Sequence, residues 1–190
     1  VAYVSTGAND VFALSIETGE ILWQYSASLD PDITSVCCGW NNKGVAIGED
    51  AVFIGQLDGR LVALDRATGT VAWSIQAERW QEGFSITAAP LYVNGVPGRS
   101  SERDGGLVII GLAGGDRGTR GRIKAYDAKD GRLVWTFHTI PGPGEPGHET
   151  WPQDNDAWKY GGAAIWQTPA VDPELGLVYF STGNAAPDYN

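Results

Sequence analysis

An internal repeat constrains the fold of this chain more than any other feature of its sequence. Each copy contains an apolar run, a Thr-Gly or Asp-Gly turn, and a tryptophan four residues after the glycine. Apolar runs on both sides of such a turn predict a β-hairpin. A recurring hairpin indicates stacked β-units, because one unit cannot bury its faces alone. The three copies are Val11–Trp23, Leu61–Trp73 and Ile123–Trp135.

Further strand-like segments accompany the repeated hairpins. Ala51–Gly55 precedes the second copy, and Ser85–Val93 and Leu107–Gly111 precede the third. The tail resembles the opening half of the same unit, with strands predicted over Ile165–Val171 and Leu177–Thr182. Four short antiparallel strands in roughly 40–50 residues are typical of a β-propeller blade, so the predicted fold class is all-β, a partial β-propeller. It has about three blades and part of the next. Blade-like repeats are predicted near residues 1–30, 45–80, 85–140 and 163–190.

The repeated tryptophan has a structural interpretation. One aromatic side chain buries a large apolar area. A tryptophan at one fixed place in every unit is therefore predicted to anchor one blade on the next, rather than to act in a functional site. These residues are Trp23, Trp73 and Trp135.

The net charge narrows the classes of partner, and the two ends of the chain suggest a longer protein. The net charge of −10 argues against nucleic acid and against an anionic membrane surface as partners. No apolar run reaches the length that a bilayer span requires. The chain opens on the strand-like Val1–Ser5 without a methionine and stops soon after another predicted strand. We therefore expect a piece of a longer protein, with further blades outside this sequence.

The two cysteines, Cys37 and Cys38, are adjacent. A disulfide between neighbours forces the peptide into a strained ring and closes no useful loop. If it forms, it is better suited to serve as a rigid, flat platform than to stabilise the fold, and it indicates an oxidising compartment such as the periplasm. Two reduced, buried cysteines at a strand end are the alternative. The residue pattern alone leaves both open.

The acidic residues and histidines between positions 138 and 156 give weak functional signals. A Pro/Gly/Trp-rich stretch over residues 141–159 holds four acidic side chains, which could line a substrate entrance. A solvated surface loop is the favoured interpretation. Neither histidine has metal-ligand spacing to a cysteine, so both are expected to be structural or on the surface. The residues are Glu145, Glu149, Asp154, Asp156, His138 and His148.

Four features together resemble one family, the quinoprotein alcohol dehydrogenases. They are the Ala-x-Asp-x-x-Thr-Gly-x-x-x-Trp repeat, the adjacent cysteines, the Gly-rich turn Gly114–Gly121, and the ending in which Trp166 precedes Ser181-Thr182-Gly183-Asn184. The resemblance implies a periplasmic, eight-bladed propeller that uses pyrroloquinoline quinone (PQQ) with Ca²⁺ or a lanthanide. This chain would cover about the second to fourth blades of such an enzyme.

The resemblance implies a set of cofactor-binding residues. Cys37 and Cys38 match the disulfide platform on one face of the quinone, and Trp166 matches the tryptophan on the other face. Lys43 stands where the family has an arginine against a cofactor carboxylate, and lysine lacks the bidentate fork. Thr87 matches a threonine that hydrogen-bonds the cofactor.

A Gly-rich turn and two oxygen ligands complete the implied site. The turn residues beside the cofactor are Ala113, where the family usually has serine, followed by Gly114 and Gly115. Asp116, where the family commonly has glutamate, and Asn184 match metal ligands, and a hard cation prefers such oxygens. The substitutions at 43, 113 and 116 predict weaker or metal-altered cofactor binding.

The implied activity is oxidation of an alcohol by hydride transfer to metal-bound PQQ. The metal acts as a Lewis acid, and a c-type cytochrome or a quinone accepts the electrons. The general-base aspartate of the family lies beyond residue 190, so no catalytic residue is predicted in this chain. The alternative is a non-catalytic propeller with similar repeats that serves as a protein-binding scaffold. The adjacent cysteines favour the enzyme, because a scaffold has no use for a strained platform.

Overall fold

The computed structural model describes residues 1–34, 36–37, 39–94 and 106–187. The described part consists of short strands and four single 3₁₀ turns, and no helix in it is long and apolar enough to cross a membrane. The predicted all-β class is confirmed. The strands are β1 (Ala2–Ser5), β2 (Val11–Leu14), β3 (Ile21–Tyr25), β4 (Ala46–Ile47), β5 (Ala51–Gly55), β6 (Arg60–Asp65), β7 (Val71–Gln76), β8 (Leu91–Val93), β9 (Leu107–Gly111), β10 (Arg122–Asp127), β11 (Leu133–His138), β12 (Ala170–Asp172) and β13 (Leu177–Tyr179). The 3₁₀ turns are Trp80–Glu82, Gly115–Arg117, His148–Thr150 and Ala157–Tyr160.

These strands form four antiparallel sheets in chain order. The first sheet is β1-β2-β3, the second β4-β5-β6-β7, the third β8-β9-β10-β11, and the last β12-β13. Every strand pairs with the strand that follows it within its sheet, which is the meander of a propeller blade.

The repeat specifies the same bulged hairpin three times. In every copy the shared alanine lies opposite the tryptophan, and the register shifts directly after that alanine. The turn glycines adopt nearly one conformation, with φ of 75°, 73° and 74° at Gly19, Gly69 and Gly131. That region of φ is open to glycine and strained for other residues, so the turn requires glycine. The paired residues are Ala13 with Trp23, Ala63 with Trp73 and Ala125 with Trp135.

The repeated tryptophan joins each blade to the next. Trp23 Nε1 donates a hydrogen bond to the Arg66 carbonyl at 3.1 Å, and Trp73 Nε1 donates to the Ala128 carbonyl at 3.1 Å. Each indole lies on the turn glycine of the following blade, Gly69 or Gly131. The predicted blade-to-blade anchor is confirmed for Trp23 and Trp73.

Three apolar clusters fill the spaces between successive sheets. The second sheet contributes to two of them, because alternate residues of its strands point to opposite faces. Val52 and Ile54 pack toward the first sheet, whereas Phe53 packs toward the third. Strands buried on both faces read as continuous apolar runs, which explains the sequence of β5. Burial contributes about 1.5–3 kcal/mol for each such side chain, and this core holds the loops at the sheet ends in place.

Three strand predictions differ from the structure in their bounds. Of Ser85–Val93 only Leu91–Val93 is a strand, and of Ile165–Val171 only the end lies in β12. Both strands begin directly after a proline, Pro90 or Pro169, because proline has no N–H to donate to the ladder. The strand predicted over Leu177–Thr182 is too long, since β13 ends at Tyr179. The predictions for Ala51–Gly55 and Leu107–Gly111 are confirmed.

Candidate functional site

A cleft of about 640 Å³ lies at one end of the sheets. Nine of the ten residues predicted from the sequence to bind cofactor or metal line this one cleft, and Cys38 lies outside the described residues. Their individual roles stay predictions. The nine are Cys37, Lys43, Thr87, Ala113, Gly114, Gly115, Asp116, Trp166 and Asn184.

The order of the strands explains why these residues converge. In an antiparallel meander, alternate connections lie at the same end of the sheet. The connections β3–β4, β7–β8 and β11–β12 between sheets therefore lie at the same end as β9–β10 within the third sheet and the segment after β13. All nine cleft residues fall in these five connections, and the repeat turns that hold Gly19, Gly69 and Gly131 fall at the opposite end.

Thr87 and Trp166 occupy equivalent positions in successive blades. Each follows an isoleucine whose backbone N–H donates to the preceding blade: Ile86 to the Gln56 carbonyl at 3.1 Å, and Ile165 to the Leu112 carbonyl at 3.0 Å. Each also stands three residues before the proline that precedes an inner strand. The scaffold therefore presents one repeated position to the cleft, filled by a hydroxyl in one blade and by an indole in the next.

Lys43 connects three of the converging loops. Its Nζ donates to Thr87 Oγ1 at 3.2 Å and to the Trp166 carbonyl at 2.8 Å, and it lies 5.0 Å from the centroid of the Trp166 ring. Its backbone N–H donates to the Thr87 carbonyl at 3.0 Å. Burial lowers the pKa of the Lys43 ammonium from its ordinary value. The side chain thus supplies one positive charge at a fixed point of the cleft wall.

Cys37 lies on the cleft wall in the connection from β3 to β4. Its sulfur is disulfide-bonded and therefore does not titrate. Trp166 lies on the same cleft and is 44% exposed, so its indole is open to a ligand. A sulfur surface and an indole surface facing one cleft suit a flat, polarisable molecule.

Asp116 and Asn184 are held relative to each other by the segment between them, Gly161–Ala164. Gly162 N–H donates to the Thr119 carbonyl at 3.0 Å, next to the turn that carries Asp116. Ala163 N–H donates to the Asn184 carbonyl at 2.9 Å. A Cβ at Gly162 would lie 2.7 Å from Ala186 N and 2.8 Å from the Asn184 oxygen, so this crossing requires glycine.

Only a partial set of metal ligands comes from the described residues. Asn184 Nδ2 donates to the Ala185 carbonyl, which leaves its Oδ1 as the ligand atom, and Asp116 supplies a carboxylate. Within the described ranges no group of three or more His, Cys, Asp and Glu side chains could hold a metal ion. A hard cation such as Ca²⁺ takes about 6–8 oxygens. The remaining ligands would therefore have to come from a bound cofactor, water or other parts of a longer protein.

Six further residues line the cleft that the sequence analysis did not select. Ser85 is 1% exposed, and its hydroxyl has no hydrogen-bond partner within the described residues. It pairs directly with Ala113 in an isolated antiparallel bridge. The available signal was proximity, since most of the six are adjacent or nearly adjacent to a selected residue. They are Val36, Asn41, Ser85, Arg117, Ala164 and Gly183.

The loop over residues 141–159 does not contribute to the cleft. Its four acidic residues are exposed, which confirms the surface-loop interpretation. Glu145 is tied to the blade, because Arg120 Nη2 lies 2.6 Å from its Oε2 and the Gly142 N–H donates to the same oxygen. That backbone hydrogen bond, followed by the Arg120 charge, lowers the pKa of Glu145. His148 is structural, with Nδ1 3.1 Å from the Pro141 carbonyl.

Comparison with known proteins identifies relatives along the whole chain. The family described as PQQ, glucose/ethanol/alcohol dehydrogenase, beta-propeller domain, matches residues 1–190. The chain is 41% identical to the quinoprotein alcohol dehydrogenase PedH of Pseudomonas putida over 204 residues, which cover 98% of this chain and 32% of the relative. It therefore spans about a third of that relative's length.

Solved structures agree in fold. The quinohemoprotein alcohol dehydrogenase of Comamonas testosteroni matches with a TM-score of 0.82 and 34% identity, over 97% of this chain and 28% of that one. A europium-containing methanol dehydrogenase matches with a TM-score of 0.82 and 32% identity, over 96% and 33%. The chain belongs to the PQQ-dependent glucose/ethanol/alcohol dehydrogenase family and is a partial β-propeller of that family.

Proposed function

We propose that this chain is the cofactor-holding part of a quinoprotein dehydrogenase, which oxidises an alcohol by hydride transfer to metal-bound PQQ. One observation carries the proposal: nine residues selected for that chemistry from the sequence, spread from position 37 to position 184, line a single cleft. The fold brings the five connections to one end, and the residue types selected for this chemistry are the ones that line the cleft there.

The residues of the cleft fit PQQ, a flat molecule with several carboxylates. The ionic side chains on its wall are Lys43, Arg117 and Asp116, an excess of one positive charge in a chain with a net charge of −10. Within the described residues the Ser85 hydroxyl in the wall has no hydrogen-bond partner, and a buried polar group of this kind is costly unless a ligand or water satisfies it. Glycines at 114 and 115 allow a ligand to approach the backbone.

A bound PQQ would supply the hydride acceptor, and its metal ion would supply a Lewis acid for the quinone carbonyl. The chain's own part is to hold and orient. Lys43 and Thr87 would bind anionic and polar edges, and Trp166 and Cys37 would cover opposite faces, so that only one orientation is allowed. Asp116 and Asn184 would supply oxygens to the metal. The general base would come from the remainder of the longer protein.

The disulfide platform and the cellular compartment also belong to the proposed function. We infer that Cys37 is bonded to Cys38, and that the protein works in the periplasm, where such a bond persists. Non-reducing mass spectrometry of protein isolated from that compartment should show a peptide two hydrogens lighter than its dithiol form. Recovery of two free thiols would contradict the platform.

The partners follow from the proposed reaction, which needs a small alcohol as substrate and an acceptor for two electrons. A c-type cytochrome or a quinone fits the second role. The relatives include quinohemoproteins and a methanol dehydrogenase named with cytochrome c, from Paracoccus denitrificans. These names support a cytochrome-type acceptor for the longer protein.

The decisive test is PQQ binding by the full-length parent of this chain. Apoprotein is titrated with PQQ in the presence of Ca²⁺ or La³⁺, and quenching of tryptophan fluorescence and absorbance of the bound quinone are recorded. We expect saturable binding, followed by alcohol-dependent reduction of an artificial electron acceptor. If PQQ fails to bind in the presence of Ca²⁺ and also in the presence of La³⁺, the scaffold alternative is favoured.

Matched variants locate that binding in the cleft. Lys43→Met should weaken PQQ binding about tenfold or more, because it removes a charge-assisted contact. Lys129→Met removes a positive charge from the exposed β10–β11 turn at the opposite end and should leave the affinity unchanged. Equal effects of the two variants would show that PQQ binds elsewhere.

A further inference from the structure

Arg117 is a cationic residue of the cleft that the proposed ligand set does not use. It ends the 3₁₀ turn Gly115–Arg117, directly after Asp116, and it lines the cleft. Its Nη2 donates to the Thr34 carbonyl at 2.7 Å, across 83 residues of sequence. The guanidinium is thereby placed between the Gly-rich turn and the segment that leads to Cys37.

The guanidinium of Arg117 is not neutralised within the described part of the chain. No carboxylate there forms an ion pair with it, although the chain has 23 acidic and 13 basic side chains. Guanidinium has five N–H donors in a planar fork, and Thr34 takes only one of them. A positive group with spare donors on a cleft wall attracts a carboxylate, for which its geometry is bidentate.

Lys43, the other cation of the cleft, is already engaged. Two of its three ammonium donors are taken by Thr87 Oγ1 and the Trp166 carbonyl. It can offer a carboxylate a point charge and one remaining donor, but no fork. A ligand with several carboxylates therefore needs a second cation to be held in one orientation, and Arg117 supplies the geometry that Lys43 lacks.

We propose that Arg117 is a second carboxylate-binding residue of the cleft, whose guanidinium forms a two-pronged contact with a carboxylate of bound PQQ. This inference rests on the proposed function, and it adds a residue to the site rather than restating it. The competing explanation is that Arg117 only positions the segment before Cys37 through its hydrogen bond to Thr34.

The test measures PQQ affinity and its dependence on salt in the full-length parent with saturating Ca²⁺ or La³⁺. The forms are the unmodified protein, Arg117→Lys, Arg117→Met and the control Lys129→Met. Loss of a charged hydrogen bond should weaken the affinity of Arg117→Met about tenfold or more. Arg117→Lys, which keeps the charge without the fork, should lose less. Added salt should weaken PQQ binding less steeply in Arg117→Met than in the unmodified protein, because one screened charge contact is missing.

Each result separates the explanations. Weaker affinity together with a shallower salt dependence supports carboxylate binding by Arg117. Weaker affinity with an unchanged salt dependence shows a positioning role only and overturns the inference, and so does unchanged affinity in Arg117→Met. If the unmodified protein binds no PQQ with either metal, the proposed function itself fails, which is a different result from a failure confined to Arg117.

Discussion

The two ends of the sheets follow opposite rules. At the turn end, the three copies of the repeat have the same register, the same bulge and turn glycines whose φ values differ by only about two degrees. At the cleft end, the connections differ in length and composition, and each presents a different set of side chains to the cleft. Repetition therefore builds and joins the blades, and departures from repetition build the site.

Thr87 and Trp166 show this contrast at a single position. The scaffold around them is the same, with a preceding isoleucine bonded to the neighbouring blade and a proline three residues later. The side chain that lines the cleft differs, a hydroxyl at Thr87 and an indole at Trp166. A repeated fold can thus vary one residue per blade without disturbing the packing between blades.

The largest expected effect lies at the turn end. Gly69→Ala would place a Cβ 2.5 Å from the Trp23 ring at a residue with φ of 73°. Overpacking and the strained φ together should lower the free energy of unfolding by about 3 kcal/mol. Denaturant unfolding measures this loss.

The matched control for that variant is Gly19→Ala. Gly19 has the same place in the repeat and φ of 75°, but its Cβ would meet nothing within 4 Å. Only the backbone strain applies, at about 1 kcal/mol. Equal losses from both substitutions would show that the indole–glycine contact does not join the blades.

A smaller loss of stability, with a specific effect on binding, is expected at the cleft end. Gly162→Ala would press a Cβ against the backbone at Asn184 and Ala186, and should cost about 2 kcal/mol. The same crossing sets the position of Asn184 relative to Asp116. Under conditions where the variant is fully folded, titration with PQQ and Ca²⁺ should therefore still show a weaker PQQ affinity. Gly118→Ala is the control, because it has φ of 70° and its Cβ meets only Tyr160, at 3.8 Å. Similar binding by the two variants would contradict the role of the crossing.

A gain in stability is expected at Ala163. This residue has φ of 51°, a conformation that costs an alanine about 1–2 kcal/mol and glycine almost nothing. Glycine relieves this strain in the folded state, but it also gives the unfolded chain more conformational entropy, which opposes folding. The net effect of Ala163→Gly should be a free energy of unfolding raised by about 0.5 kcal/mol. Ala164→Gly, a buried neighbour without positive φ, should lower it. A loss of stability in Ala163→Gly would show that the cleft end stores no backbone strain there.

The smallest effect concerns pH and His138, the last residue of β11. Burial, and then the charges of Arg120 and Arg122, lower the pKa of His138 below its ordinary 6.5. The unfolded chain therefore takes up a proton at a pH where the folded chain resists it, and stability falls as the pH drops below 6.5. In His138→Gln the unfolding free energy should fall less between pH 7.5 and pH 5.5. If the free energy of unfolding falls by the same amount between pH 7.5 and pH 5.5 in His138→Gln and in the unmodified protein, His138 is not the cause of the pH dependence.

Sequence reasoning was most successful where one rule recurs. The blades, the hairpins and the tryptophan anchors follow from spacing and turn residues, because the same local physics is repeated three times. The predicted bounds of β8 and β12 are wrong because Pro90 and Pro169 limit the ladder, a rule that the apolar pattern alone does not contain. Alternation of connections in a meander could have predicted that residues 37, 87, 116, 166 and 184 fall at one end.

The finer parts of the site depend on contacts that no spacing reveals. Arg117 reaches Thr34 through a hydrogen bond between segments far apart in sequence. Ser85 is set opposite Ala113 by an isolated bridge rather than by a regular strand. Both residues become visible only when the loops are placed in space, because neither has a motif of its own.

The contact that joins two blades also depends on the order of synthesis, because each indole binds a residue that is made later. Trp23 reaches forward 43 residues to Arg66, and Trp73 reaches forward 55 residues to Ala128. During synthesis, the indole of a new blade cannot form its hydrogen bond until the next hairpin has left the ribosome. For these two anchors, docking between blades can therefore proceed only from the N-terminal blade onward as the chain is made.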